Sequence, residues 1–225
     1  MPSRTVITID GLAASGKSTL ARELAKKLGF AYLPSGLLYR AVAYLALQHN
    51  VSAADESSIV ALLSQHQLQL IQKAEDALVL IDGADCSDQL QGAQVTEITS
   101  QIAVLGKLRA ALSSLQREAF GCSPLVAEGR DMGTVIFPDA QLKFFVTAAL
   151  RTRAERRASQ QAAVIEEVER ALLERDRRDQ VRELSPTVAA QDAVLVDNSG
   201  QPLTAVLDGM YHLALRRGLG PTKPG

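Results

Sequence analysis

Apolar residues along the chain fall into short runs, separated by longer stretches in which they recur every three or four positions. Runs at Thr5–Ile9, Phe30–Leu33, Leu125–Ala127, Leu142–Thr147 and Ala193–Val196 read as strands. The central ones are apolar on both alternations, as strands covered on both faces should be. Amphipathic segments between them predict helices, so the pattern is α/β: a parallel sheet covered by helices on both faces. From Lys17 to Leu28, Leu20, Leu24 and Leu28 share one helical face, and Gly29 follows where a C-cap belongs. The character changes between about Gln67 and Asp82, where LQLIQ, KAED and ALVLID predict an antiparallel hairpin with a polar turn. Residues from about 51 to 90 therefore read as a small inserted lobe. Helices follow near Gly92–Leu105 and Lys107–Phe120, and GLGPTKPG at the end reads as a frayed tail.

Composition narrows the class. The 225 residues suffice for one substantial core, which places a single domain over 1–225 with its main body at about 1–50 and 91–225. A formal net charge of −1 offers no cationic excess for a nucleic-acid backbone, so no nucleic-acid partner is expected. No apolar stretch approaches the roughly 20 residues of a membrane helix, so no membrane partner is expected either. MPSR runs straight into the first strand and reads as carrying no signal peptide. Cys86 and Cys122 form no C-x-x-C pair and read as reduced thiols. His49, His66 and His212 show no metal-ligand spacing and read as solvated or core histidines. A cytoplasmic monomer is the expectation.

Gly11 to Ser18 read GLAASGKS, a complete G-x-x-x-x-G-K-[ST] between a strand and a helix. Gly11 and Gly16 let the backbone turn where a Cβ would clash, so that successive N–H groups face an anion. The following helix aims its N-terminal N–H groups at the same place. Gly11, Leu12, Ala13, Ala14, Ser15, Gly16, Lys17, Ser18 and Thr19 are thus the expected ATP-binding residues. Lys17 would reach the β- and γ-phosphates, and the Ser18 hydroxyl would ligate Mg²⁺, the expected cofactor. A ligand-free strand-to-helix turn would not need the lysine.

Further clusters lie outside the loop. Ser35-Gly36-Leu37-Leu38-Tyr39-Arg40 reads as a serine-capped helix start carrying Tyr39 and Arg40. Glu128-Gly129-Arg130-Asp131-Met132-Gly133 lies at the carboxyl end of a buried strand, where open α/β sheets bind ligands. Arg175, Asp179 and Arg182 recur at i, i+4 and i+7 in ERDRRDQVR, with Arg153, Arg156 and Arg157 upstream. Such runs are commonly solvated faces, yet beside a phosphate loop planar arginine forks also suit the charge of a transferring phosphoryl group. Ser100 and Arg109, by spacing alone, read as surface residues. The chain contains neither N-K-x-D nor LSGGQ, which argues against a GTPase switch or an ABC-type ATPase.

VITIDGLAASGKSTLA, PSGLLYRAVA, ITSQIAVLGKLRAAL, VAEGRDMGTVIFPDA and LLERDRRDQVR, in this order, resemble the bacterial cytidylate kinases over nearly the whole chain. GRDMGTVIFPDA is the most specific of these segments. The resemblance implies a P-loop NTPase-type fold with a small inserted NMP-binding lobe and a helical lid at about 151–182. It implies transfer of the γ-phosphoryl of ATP to CMP or dCMP, in pyrimidine nucleotide metabolism. It also implies that Arg40, Arg130 and Arg182 grip the CMP phosphate, with Ser35 and Tyr39 lining the pocket. Arg175 and Asp179 would lie near the pentose hydroxyls, Ser100, Arg109 and Asp131 would read the cytosine, and Arg153 and Arg157 would contact the transferred phosphoryl group. The catalytic set is then Lys17, Arg130, Arg153, Arg157 and Arg182. An ionised Asp accepts only and Arg donates only, so Asp at cytosine N4 and Arg at N3/O2 would welcome cytosine and repel uracil. Three departures from the family pattern stand out: Pro34 where an acidic residue is usual, Leu12 where proline is frequent, and a shorter segment between Arg157 and Arg175.

Overall fold

The computed structural model describes residues 4–74, 76–181 and 185–220. The expected tail beyond residue 220 and Arg182 lie outside them. The chain divides into two compact units, one of residues up to Tyr32 together with those from Ser123 onward, the other Leu33–Cys122.

The first unit is built on a five-stranded sheet that helices flank. Its strands are β1 (Val6–Gly11), β2 (Ala31–Pro34), β6 (Leu125–Glu128), β7 (Leu142–Thr147) and β8 (Val194–Asp197), in the order β2-β6-β1-β7-β8. Strand β1 pairs in parallel with β6 and β7, and β7 pairs in parallel with β8. Ile7, Ile9, Val126 and Val146 are fully buried, which is why these short strands carry apolar residues on both alternations. Each expected strand is present, displaced by at most two residues at an end. Helix α1 (Lys17–Leu28) has the expected bounds; Leu20, Leu24 and Leu28 are buried, and Gly29 closes the helix in the left-handed region at φ 67°. It packs on β1 and β6 and against α8 (Leu203–Arg216). The hairpin of α6 (Leu150–Gln161) and α7 (Ile165–Gln180) buries Ala154, Ala158, Val168 and Leu172 together with Ala13 of the glycine-rich loop. On its exposed side Arg151 is an ionic staple, reaching Glu166 at 3.2 Å and Glu169 at 3.1 Å.

The second unit is wider than the 51–90 segment read from the sequence. The reason lies in its core. Fully buried Ile59 of α3 (Glu56–Gln65) and Val79 of β4 (Asp76–Ile81) belong to one apolar cluster with residues from three further helices. These are Val42 of α2 (Gly36–Gln48), Ile102 of α4 (Ala93–Ile102) and Leu112 of α5 (Gly106–Glu118). The hairpin cannot bury its own apolar face, so the helices around it form one body with it. Its strands, β3 (Leu68–Lys73) and β4, pair antiparallel as expected, and β5 (Ala84–Asp85) adds a short third strand.

In β1, Gly11 has φ 150°, and a Cβ there would collide with the backbone carbonyl of Val146 on β7. Backbone cannot move aside as a flexible side chain would. Gly11→Ala is expected to cost about 1–3 kcal/mol, read as a lower urea midpoint with an unchanged slope.

Candidate functional site

The loop leaves β1 at Gly11 and enters α1 through Gly16, which sits in the left-handed region at φ 88° as the residue before the first helical turn. A Cβ on Gly16 would come within 2.5 Å of Asn198 Nδ2, so close approach as well as dihedral demands glycine. Between these two points the loop's carbonyls are held by side-chain donors. Arg130 donates to the carbonyl of Gly11 at 2.5 Å, Lys17 to that of Leu12 at 3.4 Å and Arg153 to that of Ala13 at 3.2 Å. Ser15 O receives Asn198 Nδ2 at 2.8 Å and Arg156 at 3.5 Å. In a planar trans peptide C=O and N–H point in opposite directions. These donors fix where the loop's carbonyls point, and with them the peptide planes whose N–H groups an anion nest would use.

Beside the loop lies a cavity of about 460 Å³. Gly16, Lys17, Ser18 and Thr19 line one side, Arg156, Arg157 and Gln160 of α6 another, and Asn198 and Leu203 close it. Ser18 is exposed, its hydroxyl open to a ligand. The two candidate lid arginines prove unlike. Arg157 faces the cavity and has no partner among the described residues. Arg153, expected from the resemblance at the transferred group, is 4% exposed, pairs with Asp176 at 2.6 Å and donates to Ala148 O and Ala13 O.

Under the loop, at the carboxyl ends of β1 and β6, lies a buried group of charges. Lys17 Nζ is 3.3 Å from Glu128 Oε1. Burial, reinforced by the nearby Arg130, lowers the Lys17 ammonium to about 8 even though Glu128 opposes the shift. Asp10 accepts the backbone N–H groups of Met132 at 2.8 Å and Gly133 at 2.7 Å. These belong to a wide helical turn, Met132–Ile136, that starts right after Asp131. Burial pushes the Asp10 carboxyl up to about 7, overcoming those two donors, with Asp131 and Glu128 adding to the rise.

The first unit also brings together part of the second cluster. Arg130 Nε lies 3.6 Å from Asp179 Oδ2, and Arg175 Nε 4.0 Å from the same oxygen. Asp179 and Asp131 are buried, 2% and 4% exposed, as carboxylates held for a purpose other than solubility. Within the second unit, Arg109 is buried, donates to Ala103 O at 2.9 Å and lies over the Tyr39 ring at 5.9 Å. It is no surface residue. Arg40 donates to Leu90 O at 2.7 Å and to Thr96 Oγ1 at 3.1 Å. Thr96 and Ser100 are one turn apart on α4, so Ser100 shares the face that Arg40 meets. Ser35 stands at the start of α2 without capping it: its side chain makes no cap bond, and it is buried.

The motifs give Arg156, Asn198 and Asp10 no role, and Glu128 reads only as part of its cluster. Asn198 meets Ser15 across 183 residues of chain, and Arg156 looked like one more arginine of a charged helix.

Comparison with known proteins agrees with this geometry. The sequence profile of the family described as cytidylate kinase matches residues 7–216. A cytidylate kinase of Carboxydothermus hydrogenoformans is 40% identical over 94% of this chain and 97% of its own. One of Thermus thermophilus is 44% identical over 91% and 95%. A bifunctional pantoate ligase/cytidylate kinase of Synechococcus elongatus is 40% identical, covering 98% of this chain and 44% of that protein.

The raised Asp10 pKa makes a testable linkage. Its ionisation is easier in the unfolded chain, so this group's contribution to stability is complete below about pH 4 and is lost as pH rises to about 7. The stability of the wild type relative to Asp10→Asn should therefore fall by about 4 kcal/mol between pH 4 and pH 8, measured by urea unfolding at each pH. A pH-independent difference would remove Asp10 from the buried charge group. The loop built from these charges, the cavity beside it and a family match over nearly its whole length agree: the chain belongs to the cytidylate kinase family.

Proposed function

We propose that the protein transfers the γ-phosphoryl group of ATP to CMP or dCMP, giving CDP or dCDP and ADP. The observation that carries this reading is the glycine-rich loop beside a cavity of about 460 Å³ that Arg157 also faces, without a partner among the described residues. A triphosphate on the loop would meet its backbone N–H groups, Lys17 and the Arg157 guanidinium.

In this mechanism an oxygen of the CMP phosphate attacks the γ-phosphorus in line. The new O–P bond forms as the bond to the β,γ-bridging oxygen breaks, and the electron pair leaves with ADP. No protein group is covalently modified. Lys17 and Arg157 stabilise charge on the non-bridging oxygens, where preorganised donors contribute most. Lys17 exchanges its bonds to Leu12 O and Glu128 for phosphate oxygens, which restores the charge that burial disfavours.

Mg²⁺ fits the residues present. Asp10 is committed to two peptide N–H groups and Glu128 to Lys17, so the exposed Ser18 hydroxyl would be the protein's ligand to the ion. With substrate phosphates and water completing its shell, it would supply neutralisation of phosphate charge. On the acceptor side, Arg40 and Arg130 are assigned to the CMP phosphate, with Arg182 joining them as an expectation of the sequence. Ser35 and Tyr39 line that pocket, and Arg175 and Asp179 serve the pentose. Ser100, Arg109 and Asp131 are assigned to the cytosine. A 2′-hydroxyl contact through Asp179 adds affinity without being essential, so both CMP and dCMP are accepted.

An ADP-coupled assay tests the reading, with CMP and dCMP expected to be used well ahead of UMP and AMP. ADP release at the same rate without any acceptor would make the protein an ATPase instead. Lys17→Ala should lower kcat by about 10²–10³-fold, the usual loss for a preorganised charge contact. Asp131→Ala should raise the KM for CMP while leaving ATP affinity within about twofold, provided its role is confined to the acceptor base. Equal damage to both substrates would move Asp131 out of the acceptor site.

A further inference from the structure

Within the second unit, His49 and His66 come together although 17 residues separate them in sequence. His49 is the residue that ends α2, and His66 the residue that ends α3. Their Nε2 atoms are 3.2 Å apart, with ring centroids at 5.1 Å and planes tilted by 53°. On the other edge of the His66 ring, Nδ1 lies 2.6 Å from Asp82 Oδ2, while Asp82 Oδ1 accepts the Gln67 N–H at 2.8 Å.

The Asp82 contact favours one tautomer of a neutral His66. Asp82 Oδ2 accepts a hydrogen bond from Nδ1–H of His66, which leaves its Nε2 with a lone pair. It faces Nε2 of His49. A lone pair opposed by a second imidazole nitrogen is either the acceptor of an N–H···N bond or one of two ligands to a shared cation. Two imidazole nitrogens bound tetrahedrally at about 2.05 Å stand about 3.3 Å apart, with ring centres about 5.2 Å apart. The observed 3.2 and 5.1 Å therefore let both rings reach one ion without moving.

Electrostatics points the same way. The carbonyl ends of α2 and α3, each equivalent to roughly half a negative charge, lead into the two histidines, and Asp82 adds a full one. Carboxylate, histidine and ion in series is the usual support of an imidazole ligand. Both histidines are within reach of solvent, His49 exposed and His66 19% exposed in its side chain, so water completes the coordination.

We propose that His49 and His66 form a site for a late first-row divalent cation of the Zn²⁺ class, with Asp82 orienting His66. Imidazole selects Zn²⁺, Ni²⁺ or Cu²⁺ over Mg²⁺ and Ca²⁺. Binding needs the His49 proton on Nδ1, so that its Nε2 is free for the ion. The ion would tie the end of α2, the helix that carries Tyr39 and Arg40, to the end of α3. None of these three residues belongs to the nucleotide machinery described above, so the site stands apart from the phosphoryl-transfer reading.

The test is calorimetric titration of the untagged full chain with ZnCl₂, alongside long-range ¹H–¹⁵N spectra of its histidine rings. One equivalent should bind, the Nε2 signals of His49 and His66 should shift, and those of His212 should not. His49→Ala and His66→Ala should each weaken binding at least tenfold, and Asp82→Asn by about 10–100-fold. MgCl₂ at the same concentration should move none of these signals. The proposal is overturned if the wild type binds no Zn²⁺, if its His49 and His66 signals stay in place, or if both histidine variants bind as tightly as the wild type. Because the ring spectra are read on the wild type, a variant that fails to fold does not decide the question.

Discussion

The site depends on how the carbonyls of one loop are held. Five side chains, Arg130, Lys17, Arg153, Arg156 and Asn198, take up the carbonyls of Gly11, Leu12, Ala13 and Ser15. Peptide planarity then ties the loop's N–H groups to the same fixed planes. The glycines permit this shape, but the donors select it from the many that glycine allows. Four of the five are cations, which would repel one another were the backbone oxygens, Glu128 and Asp176 not between them. The hydrogen bonds that shape the cradle thus also assemble the positive field that a triphosphate needs.

That field is kept at high local tension. Lys17 and Asp10 are both driven toward their neutral forms by burial, to about 8 and about 7. At neutral pH Lys17 is mostly charged and Asp10 about half ionised, and between about 7 and 8 the fold carries its greatest cost from this pair. A bound polyanion would relieve the lysine half of it. The empty site is the less comfortable state, and part of the affinity for a nucleotide comes from ending that discomfort.

How much of this was legible in the sequence follows the range of the interactions. Strand runs, the α1 face, the Gly29 cap and the 68–81 hairpin are local, and period and turn chemistry located them to within two residues. The family resemblance supplied the clusters at Arg40, Arg109, Arg130 and Asp179. What stayed hidden rests on long-range contact. Nothing in ERRASQ marks Arg156 as the residue that braces Ser15, since it and Arg157 both line the cavity and helical phase decides what else each meets. Arg153 and Arg157, one turn apart, look alike in the sequence, yet Asp176 on the neighbouring helix pairs with Arg153. That the compact second unit reaches beyond residues 51–90 was not legible, because hairpin residues are recognised by alternation, whereas the helices packed on them share a period with every other helix. The His49–His66 pair has no sequence signature at all, being made by two helix ends.

The turn at Met132–Ile136 shows where such a structure can tolerate sequence drift. It is tied to Asp10 by two peptide N–H groups, not by side chains, and every residue except proline possesses one. Gly133 is constrained further, because a Cβ there would come within 2.7 Å of Thr8 Oγ1, and Met132 and Ile136 are buried in the core. Identity can therefore change at Thr134 and Val135, the turn's less buried positions, while Asp131, at its head, keeps its place. A substitution scan across the turn would see tolerance at those two positions, a fixed glycine and a ban on proline where Asp10 takes the N–H.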